Sequence, residues 1–298
     1  MDDRWQEPVA VLAADHLSPS STLAERATVL FEEVAREAPA DLPRVACAVV
    51  GAQPAMAALA CTANVAVRAF EELGPSSVGR ALDALRRVVA TDRRAAAAAL
   101  AAHFDRPVRV VTTSASAAVI EALQALRQAG RLDDVVCAES RPLLEGTALA
   151  RWLADEGYDV TLVCDAALGE FLDANSIFVV GTDAILPQGI ANKTGTRLFA
   201  VWAALAGAER FVLASRDKLY PPELVSCWSN PQRPALEVVQ KPPAGLRVDN
   251  RAFDVTARDL WTQVWVGGAP LHVAESAGDR VLAHGLQPLV RLAGQAQV

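Results

Sequence analysis

Beyond Pro107 the chain alternates short β-branched runs with stretches of helical period, and that alternation leaves few architectures open. Val108–Thr112 is followed by an amphipathic Ser114–Gln128. Val135–Ala138 is followed by Gly146–Glu156, which stops at Gly157, a residue suited to a left-handed helix cap. Val160–Cys164, Ile177–Val180 and Phe211–Ala214 continue the series, with helices between them. Short apolar strands separated by helices build βαβ units with right-handed crossovers. The expectation is therefore an α/β fold with a mainly parallel, doubly wound, Rossmann-like sheet.

The first third has no such alternation. Ser20 and Ser21 stand where they would cap a helix running through Leu23–Ala38, whose apolar residues recur at helical spacing. Residues Val45–Val67 carry no charge, about the length a bilayer needs. Gly51, Gln53, Pro54, Thr62 and Asn64 interrupt that stretch and alanine dominates it, which points to a buried helix pair and no membrane span. A helical N-terminal domain (1–105) followed by the sheet domain (106–298) is the expected division.

Charge and cysteine usage narrow the partners. A net charge of -7 with no Lys/Arg block argues against nucleic acid as the main partner, since phosphodiesters need a basic surface. The five cysteines are dispersed, without C-x-x-C or any metal-ligand spacing. They fit reduced thiols in the cytoplasm, and Cys47, Cys61, Cys137 and Cys164 are expected to be buried and slow to react. The start, M-D-D-R-W-Q-E, is polar and unlike a signal peptide, again consistent with a cytoplasmic protein. No G-x-G-x-x-G follows the first strand and no Walker spacing is present, so no cofactor is expected.

In an open parallel sheet, ligands bind beyond the carboxyl ends of the strands. The first tip offers Thr112, Thr113, Ser114 and Ser116, hydroxyls that either hold an anion at a helix N-terminus or simply cap that helix. The second offers Glu139, Ser140 and Arg141, where Glu139 and Arg141 alternatively form a structural ion pair. Asp165 follows the third strand as a candidate N-cap, and Ser215, Arg216 and Lys218 follow Phe211–Ala214. Asp183 stands apart, because Pro187 and Gly189 separate it from the next helix and capping explains it poorly. A carboxylate at a strand tip suits acid–base work, with Asn192 and Lys193 gripping a substrate hydroxyl or carbonyl. The competing role for that trio is to tether the loop.

Six pieces then occur in one order: T-T-S-A-S, E-S-R-P-L-L-E-G, D-V-T-L-V-C-D-A-A-L-G, V-G-T-D-A-I, N-K-T-G-T and D-N-R-A-F-D-V-T-A-R-D-L. Together they resemble the family that joins methylthioribose-1-phosphate isomerase, ribose-1,5-bisphosphate isomerase and the regulatory subunits of translation initiation factor 2B. The resemblance implies a helical domain on a Rossmann-like one and a homodimer formed through the latter. It also implies a phosphorylated sugar or nucleotide as ligand. It gives Asp183 the role of catalytic acid–base, and makes Asn192 and Lys193 the clamp on the open-chain sugar. Thr112, Thr113, Ser116, Arg141 and Gly51 join them as candidate binding residues.

Two departures matter. The isomerases carry T-H-C where this chain has Thr112, Thr113 and Ser114, so Ser114 stands at the position of a catalytic thiol. They also carry R-G-A-P-A-I where this chain has V-G-A-Q-P-A-M, with Val50 at the phosphate-anchoring arginine. The function implied is an aldose–ketose isomerase of a phosphorylated pentose or related sugar. The alternative is a non-catalytic sensor of a sugar phosphate or nucleotide.

Overall fold

The structure, a computed structural model, describes residues 4–276 and 282–295. Five helices come first: α1 (Gln6–Ala14), α2 (Ser20–Glu37), α3 (Leu42–Ala52), α4 (Ala57–Leu73) and α5 (Val78–His103). The uncharged segment is indeed two helices. Pro43 lies in the first turn of α3, where its missing N–H costs nothing. A short break at Gln53–Met56 precedes α4, which ends at Gly74 with φ 83°. No helix among the described residues is long and apolar enough to cross a membrane.

The remaining chain contributes β1 (Val108–Thr112), α6 (Ala117–Gln128), β2 (Leu132–Ala138), α7 (Glu145–Asp155), β3 (Val160–Val163) and β4 (Ser176–Val180). Next come β5 (Ala184–Leu186), β6 (Gly189–Lys193), α8 (Thr196–Leu205), β7 (Glu209–Ala214), β8 (Phe253–Thr256) and β9 (Gln263–Val266). β10 (Ala269–Pro270), α9 (Leu271–Ser276) and α10 (Gln287–Gln295) complete the order. Seven strands form one sheet in the order β10-β9-β7-β4-β1-β2-β3, parallel except for β10. The expected doubly wound fold is present.

Alternation along each strand builds both faces of the core. Val110, Cys137, Val179 and Leu213 pack with the second half of α5 and with α6 and α7. Their neighbours Val111, Val136, Val180 and Val212 pack on α8 and on a 3-10 turn at Asp165–Phe171. A sheet covered on both faces needs strands that are apolar throughout, which is why β-branched runs announced them.

Three features differ from expectation. β5, β6 and β8 form a separate three-stranded antiparallel sheet, where the sequence read as a loop between Asp183 and Asn192. Its inner residues Ala184, Leu186 and Ala191 pack against the helical bundle. Cys164 is exposed rather than buried: β3 is the outermost strand, half-exposed along its length, and it ends one residue earlier at Val163. Asp165 caps no helix. Its carboxylate instead accepts hydrogen bonds from the backbone N–H groups of Ser140 (2.8 Å) and Arg141 (2.7 Å), tying the tip of β2 to the tip of β3.

Candidate functional site

The order in which strands are added reverses between β1 and β4: β2 and β3 extend one way from β1, while β4, β7 and β9 extend the other. The crevice at such a reversal, beyond the carboxyl ends, is where open α/β sheets bind ligands. The turn after β1 and the turn after β4 meet there closely. A Cβ on Gly181 would lie 2.1 Å from Ser116 Oγ, so only glycine lets the two turns approach.

The β1 turn is held by the β2 turn. Ser114 donates its N–H to Ser140 Oγ (2.7 Å), and Thr113 Oγ1 lies 3.1 Å from the same hydroxyl. Ser114 (φ 63°) and Ser140 (φ 65°) both adopt left-handed backbone, a conformation that non-glycine residues keep only where surroundings enforce it. Thr112 points elsewhere and donates to Val179 O (2.7 Å), a cross-strand tie within the sheet.

Asp183 sits between β4 and the β5–β6 hairpin. Its N–H donates to Ala191 O and its carbonyl accepts from Ala57 N, both at 2.9 Å, so its backbone is fixed from the hairpin and from α4. Asn192 and Lys193 lie on β6, buried at 6% and 4% exposure. Asn192 Nδ2 donates to Thr196 Oγ1 (3.1 Å), which donates to Lys193 O (2.6 Å), so the amide also secures the start of α8. Lys193 Nζ reaches Glu145 Oε1 at 2.7 Å.

Thr113, Ser114, Ser116, Asp183, Asn192 and Lys193 therefore line one cleft. Three candidates lie outside its lining. Thr112 belongs to the sheet, Gly51 is exposed on α3, and Arg141 is exposed and donates to Val238 O (2.8 Å) rather than pairing with Glu139. The structure adds residues that no local pattern marked: Glu145 at the start of α7, Arg93 on α5, and Arg233 from the segment following β7. Lys218 also lines the cleft, its Nζ donating to Ser20 Oγ (2.7 Å). Burial pushes the Arg233 guanidinium down, against the upward pull of Glu237, Glu145 and Asp183. Four cations and the acids Glu145, Asp183 and Asp217 converge on a small volume. The chemistry of this lining suits a polar, anionic ligand and sets a carboxylate beside it.

The loop His16–Pro19 ahead of α2, with Ser20 and Ser21 at the start of that helix, also lines the cleft, and Asp15 shapes the loop. The Asp15 carboxylate accepts from Leu17 N (3.1 Å) and Ser18 N (2.8 Å) and pairs with Arg26. Burial opposes that charge, but hydrogen bonds from the Ser18 backbone and hydroxyl, from Arg26 and from Leu17 N outweigh it and hold the carboxyl down to about 2. A folded-state value below the ordinary 3.8 gives stability that is present above that pH and lost as pH falls toward 2. We predict that the melting-temperature gap between wild type and Asp15→Asn shrinks steadily from about pH 5 to pH 3. A gap independent of pH would show that the charge of Asp15 contributes nothing.

Comparison with known proteins places these observations in context. Residues 20–265 match the initiation factor 2 subunit family. A methylthioribose-1-phosphate isomerase of Syntrophus aciditrophicus is 35% identical over 157 residues, covering 49% of this chain and 42% of that protein. A ribose 1,5-bisphosphate isomerase of Archaeoglobus fulgidus is 33% identical over 154 residues, covering 50% and 49%. The chain thus spans about half the length of the curated relatives it matches. Among solved structures, the Pyrococcus horikoshii OT3 translation initiation factor eIF-2B superposes with a TM-score of 0.77 at 25% identity, covering 91% of this chain and 97% of that one.

Proposed function

This chain belongs to the initiation factor 2 subunit family, and on that premise we propose that it is an aldose–ketose isomerase of a phosphorylated pentose or related sugar. The observation that carries the reading is the meeting of Asp183, Lys193 and the Ser114 turn in one cleft at the reversal point of the sheet. Relatives named as isomerases of ribose 1,5-bisphosphate and methylthioribose-1-phosphate support the substrate class.

The roles follow from the chemistry. Aldose–ketose interconversion moves a proton between two adjacent carbons and another between their oxygens. Asp183, a half-buried carboxylate on a fixed backbone, serves as the acid–base group. Lys193 supplies a positive charge beside the oxygen on which negative charge develops. Thr113, Ser114 and Ser116, with the N-terminus of α6 behind them, hold the phosphate; Ser116 makes no side-chain bond to that terminus. The same reading takes residues 1–105 and 106–298 as the two domains, with a cytoplasmic homodimer formed through the second.

One observation favours a second reading. Ser114 presents a hydroxyl where the isomerases present a thiol, and among the described residues no cysteine lines the cleft. A hydroxyl is a far weaker acid than a thiol, which fits a protein that senses a sugar phosphate or nucleotide without converting it. Turnover of ribose 1,5-bisphosphate and methylthioribose-1-phosphate, followed by phosphorus NMR, separates the two. The isomerase reading expects ketose from wild type and a rate at least about tenfold higher from Ser114→Cys, whose thiolate is accessible near neutral pH. If both proteins bind these sugars and neither converts them, the sensor reading replaces it.

A further inference from the structure

The segment that brings Arg233 into the cleft has little regular structure of its own. Between Trp228 and Asn250 it holds one 3-10 turn, Ala235–Glu237, and an isolated bridge from Gln232 to Arg251. Pro231 and Pro234 flank Arg233 and remove two backbone donors that could anchor it. Exposure nevertheless alternates along it. Gln232, Pro234, Leu236 and Val238 face solvent, while Arg233, Ala235 and Glu237 between them are half-buried.

The Glu237 carboxylate holds that inner side down. Its Oε1 lies 2.6 Å from His16 Nδ1, and because an ionised carboxylate only accepts, the ring nitrogen donates. Its Oε2 accepts from Asn250 Nδ2 at 2.8 Å. Asn250 is 3% exposed; its amide also donates to Pro234 O (2.9 Å), and its carbonyl accepts from Arg233 N (2.8 Å). One side chain, 13% exposed, thus ties the turn both to the returning arm at Asn250 and to a loop 221 positions away.

His16 holds the arginine as well, since its carbonyl accepts from Arg233 Nη1 at 3.2 Å. The guanidinium lies over Phe253, 5.5 Å from the ring centroid. These two contacts leave N–H donors of the fork for a ligand. We propose that Glu237 is a positioning residue: with His16 and Asn250 it clasps this segment to the loop at the cleft border and sets the Arg233 guanidinium in the lining. Without the clasp, the arginine rides on a freely moving chain that a ligand must order, at a cost in affinity. Electrostatics alone has the opposite sign. Glu237 is an acid beside a cationic cleft, so removing its charge would by itself tighten an anion's binding.

Calorimetric titration of ribose 5-phosphate into wild type, Glu237→Ala, Arg233→Ala and the double variant separates the two effects. This arm rests on the sugar-phosphate reading. Arg233→Ala should weaken binding at least about tenfold, as loss of a charged donor does. Glu237→Ala should weaken it at least about fivefold, and the double variant should bind no more weakly than Arg233→Ala, because the glutamate acts through the arginine. Tighter or unchanged binding by Glu237→Ala overturns the proposal, and so do two losses that multiply. Hydrogen exchange of the ligand-free protein tests the clasp without a ligand. Residues 232–239 should lose protection in Glu237→Ala and in His16→Ala alike, and unchanged exchange overturns the proposal. Should Glu237→Ala not fold, His16→Ala takes its place in the binding cycle. If wild type binds no phosphorylated sugar, the functional reading fails, and exchange alone decides the clasp.

Discussion

Replacing Asp183 by asparagine should lower kcat on the sugar phosphate by about a thousandfold or more, within the range that general acid–base groups contribute. Ligand Kd should stay within about tenfold, roughly 1.4 kcal/mol. The geometry allows so clean a separation. Asp183 is held through its main chain, by Ala191 O and Ala57 N, and its carboxylate makes no hydrogen bond or ion pair with another described residue. The amide therefore leaves the hairpin and the cleft wall in place and removes the group that exchanges a proton, together with its charge on Arg233. Single-turnover measurements with separate binding titrations give both quantities. Retention of turnover within about tenfold would move the acid–base role to another group, and Glu145 would be the next carboxylate to test.

The second large effect is structural. Gly146→Ala should destabilise the protein by about 3 kcal/mol or more, because the new Cβ would sit 1.8 Å from Ala138 O and 3.0 Å from its carbonyl carbon. Both obstacles are backbone at the end of β2, a strand paired on both sides, so neither can rotate away. In a chain of this size the melting temperature should fall by roughly 6 °C or more. Ligand binding should weaken as well, since the start of α7 carries Glu145. Gly51→Ala is the matched control: nothing lies within 4 Å of its added Cβ, and alanine inside α3 should be neutral or slightly stabilising. Equal melting temperatures for the two variants would mean that α7 does not press on β2 as described.

The parts of this fold that the sequence announces are those with strong local patterns. β1, β2, β4 and β7 are apolar on both faces because helices cover both faces, and their β-branched runs show it without help. β5 has three residues, and Pro187 and Gln188 join it to β6 in place of the Asn-Gly or Asp-Gly pair that marks a tight hairpin. Proline and glycine there read as a loop. Cys164 illustrates another limit, since its exposure depends on β3 being outermost, and strand order is not encoded within a strand.

The site divides in the same way. Asp183, Asn192 and Lys193 were legible because they cluster around one strand-to-helix passage, and Ser114 because it follows a strand. Glu145 gave no signal of its own. It stands inside E-S-R-P-L-L-E-G, but its partner Lys193 is 48 positions away, and only folding brings the two together. Arg233 comes from a stretch without regular structure between two short 3-10 turns, where nothing local distinguishes a cleft cation from a solvated one. Arg141 and Gly51 failed for the opposite reason: motif position named them, while local geometry sends Arg141 to Val238 O and leaves Gly51 on an open helix face.

Helix α5 runs unbroken for 26 residues. Val78 and Leu82 near its start belong to the core of the helical bundle, Ala96–Ala101 near its end belong to the sheet, and Val89 and Arg93 between them form part of the cleft wall. The consequence is mechanical. A continuous helix bends stiffly, so it acts as a strut between the helical core and the sheet core that border the cleft, and a wide hinge-like swing would have to break it. Adjustment around a ligand falls instead to the cleft's non-helical borders, the His16–Pro19 loop and the segment bearing Arg233. The cleft is gripped by its edges while its width stays set.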